Sequence, residues 1–342
     1  MNTGSVLCEK NADEKRLIAS LTKVMTALVA LENADPDEVI TIDPAWANVE
    51  GSKMGIVPGE TMTVRDLLYG LLLSSGNDAA LALADICAGS TEAFAALMNE
   101  KAAELGMTST CFENPHGLDG ENQYSTARDM AALTAAAMKD PDFAAIVSTR
   151  NANVCGRALT NHNKLLNMYA GTLGVKTGYT DAAGRTLISC VEREGMKLIC
   201  VTLCDPDDWN DHMALCSWAF DAYDVSDALA ASEPLKVPVI SGIADSVALR
   251  AARPSYILSE AGSDVRVEYD TERFIYAPAA EGGKAGMARV YVDGEQTDEV
   301  ALVYAENVPL DKTIPLTAWE KIKWAWYLMN KNTGYSGFYS IM

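Results

Sequence analysis

Ser20 and Lys23 stand three residues apart in Ala19-Ser20-Leu21-Thr22-Lys23-Val24-Met25-Thr26, at the start of an apolar-periodic segment. On a helix, residues three apart share a face and can touch. A lysine whose amine is neutral can take the hydroxyl proton of such a serine and turn a weak alcohol into a nucleophile. By itself the Ser-x-x-Lys spacing is weak, because it arises by chance about once in a chain of this length. Two further elements give it company. Ser75-Gly76-Asn77 follows the apolar run Leu71-Leu72-Leu73, and Lys176-Thr177-Gly178 follows Gly171-Thr172-Leu173-Gly174-Val175 and precedes Tyr179-Thr180. Singly, Ser-Gly-Asn is a common turn and Lys-Thr-Gly a strand end. In this order, at these long separations, they describe one site built from three segments.

The elements that must position these residues can be read from periodicity. Val24, Met25, Leu28, Val29 and Leu31 fall at helical spacing, so Leu21 to Leu31 is predicted to be a helix with Ser20 at its start. Val64 to Leu73 and Ala79 to Cys87 read as helices flanking a loop Ser74-Ser75-Gly76-Asn77 that faces a pocket. Thr91 to Leu105 and Thr126 to Ala137 read as Ala-rich helices. Thr186 to Val191 and Lys197 to Leu203 flank Arg193-Glu194-Gly195, a hairpin signal that places Lys176-Thr177-Gly178 on a neighbouring strand. His212 to Tyr223 reads as a closing helix. Beyond Glu233 the texture turns to short alternating strands (235 to 240, 246 to 250, 265 to 269, 288 to 292, 299 to 303) separated by turns such as Val292-Asp293-Gly294-Glu295.

Ser-x-x-Lys, a Ser-Asp-Asn type element and Lys-Thr-Gly in this order are the signature of penicillin-binding proteins and β-lactamases; here Gly76 replaces the Asp, a departure at a position that contributes no required side chain. The chain resembles the serine-type D-alanyl-D-alanine carboxypeptidases, low-molecular-mass penicillin-binding proteins. Glu9-Lys10-Asn11-Ala12-Asp13-Glu14-Lys15-Arg16, Asn114-Pro115-His116-Gly117-Leu118-Asp119, Tyr124-Ser125-Thr126-Ala127-Arg128-Asp129-Met130 and Asn161-His162-Asn163-Lys164-Leu165-Leu166 also carry the likeness. It implies an α/β fold: a transpeptidase-like domain, with an antiparallel sheet and a helical cluster, over 1–230, then a small all-β domain over 231–312. It also implies roles. Ser20 would be the nucleophile, Lys23 the base and Ser75 the proton shuttle. Asn77 would position Lys23 and the substrate amide. Lys176, Thr177 and Gly178 would form the strand that receives the substrate carboxylate. The backbone N–H groups of Ser20 and Tyr179 would form the oxyanion hole. The implied substrate is a peptidoglycan stem peptide ending in D-Ala-D-Ala, β-lactams are the implied inhibitors, and no cofactor or metal is implied. Asp205-Pro206-Asp207-Asp208-Trp209 lacks the arginine that some relatives use on the terminal carboxylate, and Arg185 is the substitute considered. A β-lactamase, or a non-catalytic penicillin-binding morphology protein, would share the three motifs. The loop 114–119 lacks the glutamate a β-lactamase uses for fast deacylation, and the intact motif residues argue against loss of activity.

A chain of 342 residues, 49% hydrophobic and 22% charged, suggests two domains with a sizeable core. Its net charge of −20 argues against nucleic acid or anionic lipid as a partner for the body of the protein. Met1-Asn2-Thr3-Gly4 lacks the features of an export signal and reads as the tail of a strand, so the first strand is expected to be truncated; relatives of this kind act outside the cytoplasmic membrane. The eight cysteines show no metal-ligand spacing and read mainly as small buried hydrophobes. His116, His162 and His212 read as structural hydrogen-bonders, because no G-x-S-x-G elbow surrounds Ser20. In the segment 313–342, Trp319, Ile322, Trp326 and Met329 form a stripe at spacings of three and four, read as peripheral membrane contact.

Overall fold

The computed structural model describes residues 1–230, 235–260 and 262–311, and beyond these 313, 317, 318, 321–323, 325 and 326. Trp319 and Met329 of the C-terminal stripe lie outside the described residues, whereas Ile322 and Trp326 are exposed. The chain divides into two compact units, Met1–Ala222 and Tyr223–Met342.

In the first unit a 3-10 turn, Ala19–Leu21, leads into α1 (Thr22–Asn33). There follow β1 (Val39–Thr41), α2 (Pro44–Ala47), β2 (Thr61–Thr63), α3 (Val64–Leu73), α4 (Asn77–Ala88), α5 (Thr91–Glu104), α6 (Ala127–Ala137) and α7 (Pro141–Ser148). The hairpin β3 (Asn151–Val154) and β4 (Arg157–Thr160), the short α8 (Leu165–Met168), the strands β5 (Thr172–Thr180), β6 (Gly184–Arg193) and β7 (Met196–Leu203), and α9 (Asp208–Ala222) complete it. Every residue from Thr22 to Ala30 is buried, which makes α1 the axis of the cluster, packed by α3, α4, α5 and α6. Helix starts are fixed by side chains: Thr63 and Asp66 form a reciprocal capping box on α3, and Thr126 caps α6.

Strands β5, β6 and β7 form an antiparallel sheet in that order, with β5 on the outside. Thr186 to Val191 are all buried, so both faces of β6 are covered. Glu194 and Gly195 both have positive φ (50° and 82°), the backbone of a two-residue hairpin turn whose twist suits the flanking strands. The first two residues lie along β7: the Met1 ammonium donates to Lys197 O at 2.9 Å, and Asn2 brackets Gly195 and Lys197 with its side chain.

In the second unit, β8 (Tyr223–Asp227) pairs with β11 (Tyr256–Glu260). A six-stranded sheet has the order β12 (Val265–Thr271), β14 (Lys284–Val292), β15 (Glu295–Tyr304), β10 (Ser246–Ala251), β9 (Lys236–Ile240) and β13 (Ile275–Tyr276). Alternation puts Val237, Val239, Val247, Leu249, Leu302 and Tyr304 into its core. Tyr223, expected at the end of a helix, instead opens β8.

The cysteine expectation needs correcting. Cys190 and Cys216 are buried, but Cys8, Cys155 and Cys204 are exposed, and all eight are free thiols. Apolar neighbours in sequence do not reveal on which side of a strand, or past which strand end, a thiol falls.

Candidate active site

Ser20 lies within the 3-10 turn rather than on α1, which begins two residues later. The turn is clamped at both sides. Thr22 Oγ1 donates to Ala19 O at 2.9 Å, and Thr186 Oγ1 on β6 donates to Ile18 O at 3.2 Å. Ala19 sits at φ 48°, a left-handed conformation that a residue with a side chain adopts at a cost and only where its surroundings hold it there. Lys23, one turn on, is fully buried, and its Nζ donates to Ser20 Oγ at 2.8 Å and to His116 O at 2.5 Å. Burial first, and then the charge of Lys176, hold the Lys23 amine well below the ordinary lysine range, against an opposing pull from Asp78. A neutral amine with a free lone pair is therefore accessible 2.8 Å from a hydroxyl.

The second hydroxyl comes from the link between α3 and α4. Ser75 is also left-handed, at φ 59°, and its Oγ accepts from Lys176 Nζ at 3.1 Å. Asn77 is the first residue of α4, not part of the loop, and its Nδ2 donates to Glu50 O at 2.7 Å. Beside it, the Asp78 carboxylate accepts from the backbone N–H groups of Met54, Gly55 and Ile56 at 3.0, 2.8 and 3.2 Å. That latch ties the segment 50–56 to the start of α4, so residues far from the three motifs wall the site. The amide of Asn77 and the amine of Lys23 thus have separate partners.

Lys176 reaches Ser75 from β5 and also donates to Thr177 O at 2.8 Å; burial pushes its amine down to about 7. Gly178 follows, and a Cβ at this position would lie 3.0 Å from Ser20 N and 2.5 Å from Thr186 Oγ1. Glycine lets the strand approach the Ser20 amide directly. The Tyr179 side chain is exposed and donates its hydroxyl to Asp181 at 3.0 Å.

The loop 114–119 closes the far side. Gly117 has φ 87°, and a Cβ there would fall 2.0 Å from Ala19 O. Asp119 Oδ1 accepts from Thr180 Oγ1 at 2.8 Å, joining this loop to the end of β5. Burial lowers the pKa of all three histidines, with Lys176 also acting on His162. Burial, with the Lys23 charge, pushes His116 down to about 4, and the nearby residue contacts Lys23 through its carbonyl. His212 is buried between Ser189 (2.7 Å) and Thr202 (3.1 Å) and pushed down to about 3. Among the described residues no group of three or more His, Cys, Asp or Glu is placed to hold a metal ion.

Sequence reasoning missed the His116 carbonyl, Gly117, Asp78 and the Glu50 carbonyl. The Asn114-Pro115-His116-Gly117-Leu118-Asp119 string marked the loop, but nothing in it says that a main-chain oxygen is the part in use.

A serine in contact with a buried lysine, and a second lysine–serine contact made from the edge strand of an antiparallel sheet, define a serine peptidase of the penicillin-binding type. Comparison with known proteins agrees. The chain belongs to the D-alanyl-D-alanine carboxypeptidase family (Peptidase_S11), whose profile matches residues 1–207; that of the penicillin-binding protein 5 C-terminal domain matches 226–310. It is 34% identical to D-alanyl-D-alanine carboxypeptidase DacF of Bacillus subtilis, over 90% of this chain and 83% of the relative. To DacC of Escherichia coli it is 35% identical, over 90% and 82%. Among solved structures, penicillin binding protein 5 of Haemophilus influenzae superposes with a TM-score of 0.72 at 29% identity, covering 90% of this chain and 94% of that one. The fold is accordingly an α/β penicillin-binding domain followed by an all-β domain, and the protein is a serine-type carboxypeptidase of that family.

Proposed function

We propose that this chain removes the terminal D-alanine of peptidoglycan stem peptides through an acyl-enzyme on Ser20. Lys23 takes the Ser20 Oγ proton as Oγ bonds to the penultimate D-alanine carbonyl. The tetrahedral oxyanion is received by the backbone N–H groups of Ser20 and Tyr179. The proton passes by way of Ser75 to the departing nitrogen as the C–N bond breaks, and D-alanine leaves. Water then attacks the ester, and Ser20 recovers its proton. Lys176, Thr177 and Gly178 hold the substrate along β5, the outer strand of its sheet, and Asn77 faces the substrate amide. The observation that carries this reading is the 2.8 Å contact between Ser20 Oγ and the buried, pKa-lowered Lys23 amine. Each oxyanion donor in such a site is typically worth about 10²–10³ in rate.

Penicillin presents a strained carbonyl and a carboxylate in the same arrangement, so it should acylate Ser20. Its leaving group stays tethered after ring opening and blocks water, whereas D-alanine diffuses away. Intact-protein mass spectrometry is expected to show one penicilloyl adduct on Ser20 that decays over minutes or longer, while D-alanine release from a D-Ala-D-Ala peptide turns over many times. An adduct persisting in Ser20→Ala overturns the assignment. Fast multiple-turnover penicillin hydrolysis with little D-alanine released would move the protein to the β-lactamases.

The site of action in this reading is outside the cytoplasmic membrane. No single helix among the described residues is long and apolar enough to cross one. The segment 313–342 is the proposed peripheral contact, supported by the exposed Ile322 and Trp326 and by the spacing of the stripe. Deleting the residues after Pro315 is expected to abolish co-sedimentation with vesicles and leave peptidase activity unchanged; binding that survives the deletion rules the contact out.

A further inference from the structure

Gly55 is gripped from two sides by opposite charges. Its N–H donates to Asp78 Oδ2 at 2.8 Å, and its carbonyl accepts from Arg157 Nη2 and Nε at 2.7 and 3.0 Å. Asp78 also accepts from Met54 N and Ala79 N through Oδ1, and from Ile56 N through Oδ2. The residue is buried, and among the described residues its hydrogen-bond partners are all backbone N–H groups, whereas the buried Asp208 pairs with Arg185. Position 76 makes room for the carboxylate: a Cβ on Gly76 would lie 2.8 Å from Asp78 Oδ1 and 3.1 Å from Met54 N.

The segment held in this way wraps Asn77. Ser52 O accepts from Asn77 N at 2.7 Å, and Glu50 O accepts from its Nδ2 at 2.7 Å. A Cβ on Gly51 would fall 2.7 Å from that same nitrogen. A carbonyl can only accept, so Glu50 fixes which end of the carboxamide it meets and leaves Oδ1 as the end available to a ligand's N–H.

Asp78 also acts through its charge. Helix α4 packs against α1, and at the Lys23 amine Asp78 opposes both burial and Lys176. The loop 114–119 brings the His116 carbonyl to that amine and the His116 ring within reach of its charge. The other helices packed on α1 bring no further charge to it. A base works only once it has lost its proton, and a nearby anion holds that proton to higher pH.

We propose that Asp78 is a positioning residue for acylation: with Arg157 it holds residues 50–56 around Asn77, and its charge sets the pH above which Lys23 can act as base. This rests on the peptidase reading above. The test measures kcat/KM for D-alanine release from a D-Ala-D-Ala peptide across the pH range, normalised to the folded fraction by circular dichroism. Asp78→Asn keeps the size but loses the charge and one oxygen acceptor. The rising, acid limb of its profile is expected to move to lower pH. Its plateau should fall about 10- to 100-fold, the scale of a misplacement of about 1 Å. Arg157→Met releases the same segment and leaves the Asp78 charge in place, so the plateau should fall several-fold with the limb unmoved. If Asp78→Asn does not accumulate, Asp78→Glu decides, because it keeps the charge on a longer arm: a lowered plateau supports the proposal and an unchanged one overturns it. A limb that stays or moves to higher pH in Asp78→Asn, or a plateau unchanged in Arg157→Met, overturns it as well. A wild-type enzyme that releases no D-alanine and takes no penicillin on Ser20 sinks the peptidase reading, and this inference with it.

Discussion

Lys23→Ala is expected to slow penicillin labelling of Ser20 by about 10³-fold or more, and D-alanine release with it. The amine is the group 2.8 Å from the proposed nucleophile, Ser20 Oγ, and general bases so placed typically supply about 10²–10⁴. The substitution should leave the fold standing. It opens a cavity beside α1 and strips the His116 carbonyl of a donor, but it also removes a buried amine whose desolvation opposes folding. Those effects run in opposite directions, so the melting temperature should move little while labelling collapses. Time-resolved mass spectrometry of the adduct decides the matter, and labelling at near the wild-type rate would place the base elsewhere.

Lys176→Met separates activity from stability. Peptidase activity should be lost, because the amine that holds Ser75, and that in the proposed reading meets the substrate, is gone. Stability should instead rise at low pH. The folded-state pKa of Lys176 is about 7, against an ordinary value of 10.5. Below pH 7 both folded and unfolded chains carry the proton, and the folded state bears the full cost of a buried cation. Between pH 7 and 10.5 the unfolded chain holds a proton that the folded chain has released, so wild-type stability climbs with pH across that interval. The full drop corresponds to on the order of 5 kcal/mol, offset in the variant by the lost bonds to Ser75 and Thr177 O. The methionine variant should therefore melt several degrees above wild type at pH 6, with the gap closing by pH 10. A gap that widens with pH would contradict the buried-cation account.

The side chains that meet at the candidate site were legible: Ser20, Lys23, Ser75 and Lys176 carry functional groups whose type and order restrict the reading, and they pair as Lys23 with Ser20 and Lys176 with Ser75. What the sequence concealed works through the main chain. Any residue could supply the oxygen that His116 offers Lys23, and the requirement at position 117 is for an absent Cβ. Nothing in the sequence singles out Asp78, yet it collects three N–H groups from a segment more than twenty residues upstream. Strands flanked by clear turns were found with small errors at their ends. Those that depend on a distant partner were not: β8 follows α9 directly in sequence and owes its conformation to β11, and the hairpin β3–β4 has only four residues to a strand.

The site contacts join segments far apart along the chain. Lys23 meets His116 across 93 residues, Lys176 meets Ser75 across 101, and Gly178 abuts Ser20. Closing such long loops costs chain entropy that local structure cannot offset, so contacts of this kind form late in folding. A partly folded chain can have α1 complete, with Ser20 beside Lys23, and still lack every group that would orient a ligand there. A covalent tag on Ser20 therefore counts molecules that have finished assembling the first unit, and the rate at which taggable protein appears during refolding reports the last steps of that assembly.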